Sequence, residues 1–476
     1  MNERPNILFI NTDQHSWDAI SAYGNPYLRT PNIDELHRNG TSFRRSFCTD
    51  PVCAAARSSW ATGLYTSETG VPFNGGYLHP EIPDLGQLLN AGGYKAFHCG
   101  KWHVPGRNVR ESFRTLYYGQ QDIGAGGAAY YDSASTHAVA DFLKNYDGDD
   151  PFYLQIGFVD PHDVCEYLHN HEEKHIPNPL EQGIVSEDDL PPLPENFDYD
   201  ERETVLHRVC RRVDDALIHA AILNGIRGWD EFHWRYLRWN YYRFIEKVDA
   251  EIGRVLALLR ETARHHNTLI IFSADHGEAC GSHQMFQKFT LYEESVRVPF
   301  IVACLGEEIS VEKDRFDETH FVSGVDLFPT VCDYAGIDVP EEVQGLSIRP
   351  LAEGRDAPWR DYAYIESNYW GRAIVTDQYK YVTEYKPKIV EDFHPPGPDI
   401  EQLGLAQLFD RQNDLGEMEN LVGNPTYNEV VKMCKNKLFA QETRLHRQQI
   451  VHPSPRRVIS NWGDRLRTYW QMTDSH

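Results

Sequence analysis

Apolar and polar positions along this chain follow two periods. Short, nearly continuous apolar runs at 6–11, 94–99, 151–159, 268–273 and 300–304 read as strands. Runs without polar alternation fit strands buried on both faces. Between them the period changes to 3.6. Residues 85–91 and 133–145 read as helices. Over 234–262, apolar residues at 237, 241, 244, 245, 248, 252, 255, 256 and 259 mark one face of a long amphipathic helix. Buried strands alternating with helices predict an α/β fold, a large mostly parallel sheet sandwiched by helices.

Two stretches depart from this pattern. Residues 163–232 carry Pro191-Pro192-Leu193-Pro194 and many charges, which predicts a helical surface insertion with a helix near 201–224. Beyond about 356, short runs rich in Tyr and Val at 362–367, 373–376 and 379–383 predict a small antiparallel sheet, followed by a helix near 427–445. The expected organisation is a catalytic α/β domain over 1–355, a smaller α+β subdomain over 356–450, and a tail over 451–476. That tail holds four Arg, two Asp, Trp462, Tyr469 and Trp470. Such aromatic and basic side chains suit a packed surface, so the tail is expected to dock on its own subunit or to join a homo-oligomer.

Composition narrows the function classes. The chain of 476 residues has 46 basic and 71 acidic side chains, a net charge of −25. That balance argues against nucleic acid and against an anionic membrane surface as partners. No run reaches the roughly 18 apolar residues of a membrane-spanning helix. Asn6–Ile10 is too short for a signal-peptide core, so a cytoplasmic location is expected. The nine cysteines include no C-x-x-C pair, which fits a reducing compartment.

The chemistry-bearing residues follow the strands. Asp13 and Gln14 come after the first, Lys101 and His103 after the second, Asp160 and His162 after the third, and Asp275 and His276 after the fourth. Ligands in open α/β sheets bind beyond the carboxyl ends of the strands. Any one of these residues could be an ordinary cap or turn residue; together they point to an active site. Asp13, Gln14, Asp275 and His276 form an oxygen-rich donor set with one imidazole, suited to a hard divalent ion. The group His169, His171, Glu172 and His175 lies in the polar insertion and reads as solvated loop.

Cys53 stands apart from the other cysteines. Pro51 precedes it and Gly63 closes a short helical stretch after it, which puts Cys53 at a helix N-terminus with Arg57 one turn on. A cysteine phosphatase loop needs C-x₅-R, but residue 59 is Ser, so that reading fails. On these residues alone, a buried structural cysteine and a functional one remain alternatives.

The ordered motifs resemble those of type I sulfatases, the formylglycine-dependent branch of the alkaline phosphatase superfamily. The family motif C-x-P/A-x-R reads here Cys53-Ala54-Ala55-Ala56-Arg57. Matching blocks are Arg4-Pro5-Asn6-Ile7-Leu8 with Thr12-Asp13-Gln14, Thr30-Pro31-Asn32-Ile33-Asp34, and Gly92-Gly93-Tyr94 through Gly100-Lys101-Trp102-His103. Asp160-Pro161-His162, Ser273-Ala274-Asp275-His276-Gly277-Glu278, Lys288 with Tyr292-Glu293-Glu294-Ser295-Val296-Arg297-Val298-Pro299, and Leu408-Phe409-Asp410 through Asn420-Leu421 complete the set.

The resemblance implies a sulfuric ester hydrolase in which Cys53 is oxidised to formylglycine by a formylglycine-generating maturation enzyme. The hydrated aldehyde would offer one hydroxyl to attack sulfur and a second whose deprotonation expels sulfate. Asp13, Gln14, Asp275 and His276, with residue 53, would hold one divalent ion, Ca²⁺ before Mn²⁺ or Mg²⁺. Arg57 would orient the diol, and Lys101 and Lys288 would grip the sulfate oxygens. His103 would help deprotonate the diol, His162 would protonate the leaving oxygen, and His283 would add a substrate contact. Gln14 and His276 stand where many members carry Asp and Asn, and Ala55 replaces the commoner Pro. The implied substrate is a small-molecule or saccharide sulfate ester. Two rivals are a phosphonate monoester or phosphodiester hydrolase of the same superfamily, and a non-catalytic binding protein with unmodified Cys53.

Overall fold

A computed structural model describes residues 4–117, 127–165, 185–200, 202–204, 207, 229–367, 371–384 and 404–445. The helix expected near 201–224, the polar group His169, His171, Glu172 and His175, and the tail 451–476 lie outside the described residues.

Fourteen strands are described. They are β1 (Asn6–Asp13), β2 (Gly40–Phe43), β3 (Ser46–Phe47), β4 (Lys95–Gly100), β5 (Arg114–Tyr117), β6 (Phe152–Pro161), β7 (Thr268–Ala274), β8 (Phe300–Cys304), β9 (Arg315–Asp317), β10 (Val322–Ser323), β11 (Ala363–Ser367), β12 (Gly371–Val375), β13 (Tyr379–Glu384) and β14 (Ala406–Asp410). Eight of them make one sheet in the order β5-β4-β6-β1-β7-β8-β2-β9. The run from β5 to β7 is parallel throughout. β8 reverses direction against both β7 and β2, so the sheet is mixed at one side.

β1 shows why the apolar runs carry no polar alternation. Ile7 and Phe9 enter one core cluster, Leu8 and Ile10 the other, so both pleat faces are buried. The first face is covered by the Cys53–Thr62, Leu85–Ala91 and Leu327–Ala335 helices. The second is covered by the Pro31–Arg38, Ala128–Asn145 and Glu231–Glu261 helices. In Glu231–Glu261 the predicted stripe is buried at Leu237, Tyr241, Ile245, Val248, Ile252, Val255, Leu256 and Leu259. Asp230 starts this helix by accepting from His233 N–H.

β11-β12-β13-β14 form the small antiparallel sheet. Its fourth strand, β14, was not among the predicted runs. One face shares a core with Phe47, Ala274, Val296 and Val298; the other packs on Cys434 and Leu438 of the Asn428–Arg444 helix. Among the described residues no helix is long and apolar enough to cross a membrane.

Candidate active site

Strand order brings the sequence-predicted residues together. β4, β6, β1 and β7 are neighbours and parallel, so the residues after each emerge on one edge. Two glycines let β4 and β6 close up there. A Cβ on Gly100, at φ +87°, would lie 2.2 Å from Gly157 O, and one on Gly157 would lie 2.3 Å from Lys101 O. Lys101, which follows Gly100, is 1 % exposed.

Cys53 opens its helix as expected, and Gly63 ends it at φ 69°. The first turn is buried, and Ala54 N–H donates to Asn74 Oδ1 at 3.1 Å. Lys288 Nζ donates to Cys53 Sγ at 3.1 Å, and His276 Nε2 lies 3.1 Å from the same sulfur. Arg57, four residues on, pairs with both carboxylates. Its Nε donates to Asp275 Oδ2 at 2.8 Å and its Nη2 to Asp13 Oδ2 at 3.1 Å. Its Nη1 is shared between Asn11 Oδ1 and Lys101 O, both at 3.1 Å. Lys101 Nζ adds an ion pair to Asp13 Oδ2 at 2.6 Å, without hydrogen-bond alignment.

These neighbours split the two carboxyl groups. Burial opposes the charge of Asp13, but Lys101, His162, Arg57 and Lys288 outweigh it and hold the group well below its usual range. Asp275 is pushed up to about 6 by burial and by the charge of Asp13. Burial and Asp13 also oppose ionisation of Cys53, yet Lys288, Lys101 and His276 lower its thiol well below the usual value.

The donors suit a divalent ion. One ligand atom each from Asp13, Cys53, Asp275 and His276 lies within 4.8 Å of the others, all buried. The outer oxygens of both Asp residues are taken by Arg57, which leaves the two Oδ1 atoms facing inward. Burial and Lys288 oppose the charge on His276, but Asp275 and Cys53 outweigh them and hold the ring above the usual value. Its Nδ1 lies 2.9 Å from Gly277 O, which only accepts, so on losing its proton the ring would present a bare Nε2 to an ion. Gln14, at φ 66°, turns its Oε1 toward Lys288 Nζ at 2.8 Å.

Two histidines complete the wall. His103, at φ 53°, interacts with the Cys53 sulfur, and its Nδ1 has no hydrogen-bond partner among the described residues. His162 Nδ1 is likewise buried without a partner there. Burial holds both rings below the usual histidine value, reinforced at His162 by Lys288. His162 follows a braced turn: Asp132 accepts from Val159 N–H at 2.7 Å and Asp160 N–H at 3.0 Å, while Lys247 holds Asp160 at 2.6 Å. His283 sits in a different setting. It stacks on Tyr292 with ring centroids 3.8 Å apart, and its Nε2 lies 3.3 Å from Asn196 Nδ2.

Asn11, Asn74 and Tyr241 belong to the site without having been singled out from the sequence. Asn11 is inside a strand and Asn74 in a glycine-rich turn, where neither spacing nor periodicity marks them. Tyr241 is one more apolar-stripe residue by pattern, yet its hydroxyl donates to Gln14 O at 2.8 Å.

The family model for sulfatases matches residues 5–337, which hold every one of the cluster residues. The chain belongs to the sulfatase family. It is a sulfuric ester hydrolase of the alkaline phosphatase superfamily. A second model, for the C-terminal part of N-sulphoglucosamine sulphohydrolase, matches residues 281–444. The sulfatase is 27% identical over 444 residues to a Delta 4,5-hexuronate-2-O-sulfatase of Bacteroides thetaiotaomicron, covering 90% of this chain and 87% of the relative. It is 26% identical to an arylsulfatase of Clostridium perfringens, covering 92% and 94%. A solved 2-O GAG sulfatase superposes with a TM-score of 0.77 at 26% identity, covering 93% of this chain and 92% of that one.

Proposed function

We propose that this sulfatase removes a sulfate ester from a saccharide, using Cys53 matured to formylglycine by a formylglycine-generating enzyme. One observation carries the reading: the Cys53 sulfur lies 3.1 Å from both Lys288 Nζ and His276 Nε2, inside a buried four-donor cluster. A structural cysteine has no need of such company. Asp13, Gln14, residue 53, Asp275 and His276 would hold one divalent ion, Ca²⁺ first, with Mn²⁺ or Mg²⁺ as alternatives. When bound, the ion supplies charge that acidifies a hydroxyl of residue 53 and polarises the sulfate group.

The chain's own residues do the rest. Arg57 keeps the outer oxygens of Asp13 and Asp275 occupied, so their inner oxygens stay aimed at the ion. Lys288 and Lys101 bind sulfate oxygens and hold their charge in a site shielded from water. His103, neutral and beside residue 53, accepts a proton from it. His162 is the proton donor to the leaving oxygen. Burial and Lys288 hold its ring below the usual value, so it takes up that proton from solvent only as the sulfate's negative charge enters the site.

Three cations, Arg57, Lys101 and Lys288, face two carboxylates here, so the site attracts anions although the chain carries −25. A saccharide substrate is supported by the relatives whose names specify a hexuronate 2-O-sulfate and a 2-O GAG sulfate.

The test has two arms. Peptide mass analysis at Cys53 is expected to show sulfur replaced by the aldehyde oxygen; an unmodified thiol in active protein refutes the mechanism. Parallel kcat/KM values for sulfate and phosphonate esters are expected to favour the sulfate ester. The reverse order would move the protein to the phosphonate branch.

A further inference from the structure

We propose that Glu278 is a positioning residue that decides which atom of the Gln14 side chain faces the metal site. The inference rests on the ligand role proposed above for Gln14. The Gln14 backbone is held independently: its N–H donates to Asp275 Oδ1 at 3.0 Å and its carbonyl accepts from Tyr241. What remains open is a half-turn of the amide. Oxygen and NH₂ are so alike in size that packing cannot choose between them; hydrogen bonding must.

Glu278 makes the choice. Cys165 Sγ lies beside both amide atoms, 3.5 Å from Nε2 and 3.9 Å from Oε1, and does not choose between them. Glu278 Oε2 accepts from Gln14 Nε2 at 2.5 Å. The amide oxygen is thereby turned to the opposite side, where Lys288 Nζ donates to it at 2.8 Å. Glu278 cannot itself rotate freely. Its Oε1 accepts from Cys280 N–H at 3.0 Å and Gln287 N–H at 2.7 Å, and the residue is 1 % exposed. One carboxylate therefore ties the end of β1 to the neighbour of Lys288.

Glu278→Gln tests this with almost no change of shape. Its single carbonyl oxygen is claimed by the two backbone N–H groups, which leaves its NH₂ facing Gln14. The Gln14 amide is then left with a donor on each side, that NH₂ and the Lys288 ammonium, so its oxygen is no longer fixed toward the metal site. In full-length protein stripped with chelator, titrated separately with Ca²⁺ and Mn²⁺ by calorimetry, this variant is expected to bind about 10–100-fold more weakly. The double variant Gln14→Glu, Glu278→Gln restores an acceptor toward both the amide and Lys288, and is expected to recover most of the loss. Wild-type affinity in Glu278→Gln, or a double variant no tighter than the single, overturns the proposal. If Glu278→Gln fails to fold, recovery of a cooperative melt and of metal binding in the double variant supports it, and continued failure refutes it. Wild-type protein that binds neither ion removes the ligand reading of Gln14 and this inference together; wild-type binding left unaltered in Glu278→Gln removes only this one.

Discussion

Lys288 Nζ donates to Cys53 Sγ at 3.1 Å across 235 residues of sequence. The lysine is held there by a contorted loop: its neighbours Gln287 and Phe289 have φ of 68° and 84°. Left-handed backbone at non-glycine residues costs on the order of 1–3 kcal/mol each and persists where surrounding structure imposes it. Here the imposed geometry delivers an ammonium to the Cys53 sulfur.

Removing that ammonium should therefore cost catalysis more than folding. Lys288→Ala is expected to lower kcat/KM by about 10²–10³-fold, the range for losing one preorganised donor to developing charge. Lys288→Arg should recover little, because a planar guanidinium does not fit the slot of a compact ammonium. Steady-state kinetics on a sulfate ester check both; a loss confined to the melting temperature would reassign Lys288 to structure.

Cys53→Ala exchanges one small buried side chain for another. Turnover should fall to background while the thermal melt stays close to wild type. Measurable full activity in this variant would end the formylglycine reading.

Chelation should abolish turnover, with recovery on adding Ca²⁺ or Mn²⁺. Asp275→Ala should lose bound metal, since it removes an inward oxygen and leaves Arg57 Nε without its acceptor. Elemental analysis is the readout. Zinc at full occupancy, or wild-type metal content in Asp275→Ala, would contradict the donor set.

Asp249 gives a pH signature away from the site. It accepts from Ile33 N–H at 2.8 Å and from Asn32 N–H at 3.2 Å, at the start of the Pro31–Arg38 helix. Burial nevertheless pushes its carboxyl from 3.8 up to about 6. The folded state thus holds this proton more tightly than the unfolded chain. Stability from this group is greatest below the unfolded value, declines as pH rises from about 4 to about 6, and is level above. Denaturant unfolding of wild type and Asp249→Asn across that window should differ in slope, the wild type falling more steeply with pH. Parallel curves would refute the assignment.

Much of the site was legible because parallel strands end on one side. Asp13, Lys101, His162 and Asp275 could each be placed from the residue that closes a buried apolar run, and the Pro51 and Gly63 flanks marked Cys53 as a helix start. Glu278 was visible only as one letter of a motif. Its importance lies in three acceptor bonds to partners 2, 9 and 264 residues away, and no local pattern encodes the last of these. His283 shows the same limit: its place near a motif was readable, but its stacking on Tyr292 appears only in the folded chain.

The sequence by itself determined the main buried strands, the long helix, the α/β class and the residue types available for chemistry. These depend on local periodicity and on which side chains can be buried, and both are written in consecutive residues. Strand order was decided only in three dimensions. Placing β1 between β6 and β7 puts Asp13 and Asp275 on one guanidinium, and the small sheet shares a core with Val296 and Val298, which precede β8. Those pairings follow from which buried faces fit together over long separations. The same is true of charge: −25 over the chain says nothing of a pocket where Arg57, Lys101 and Lys288 converge, because a field at a few ångströms is set by the nearest groups and not by the sum.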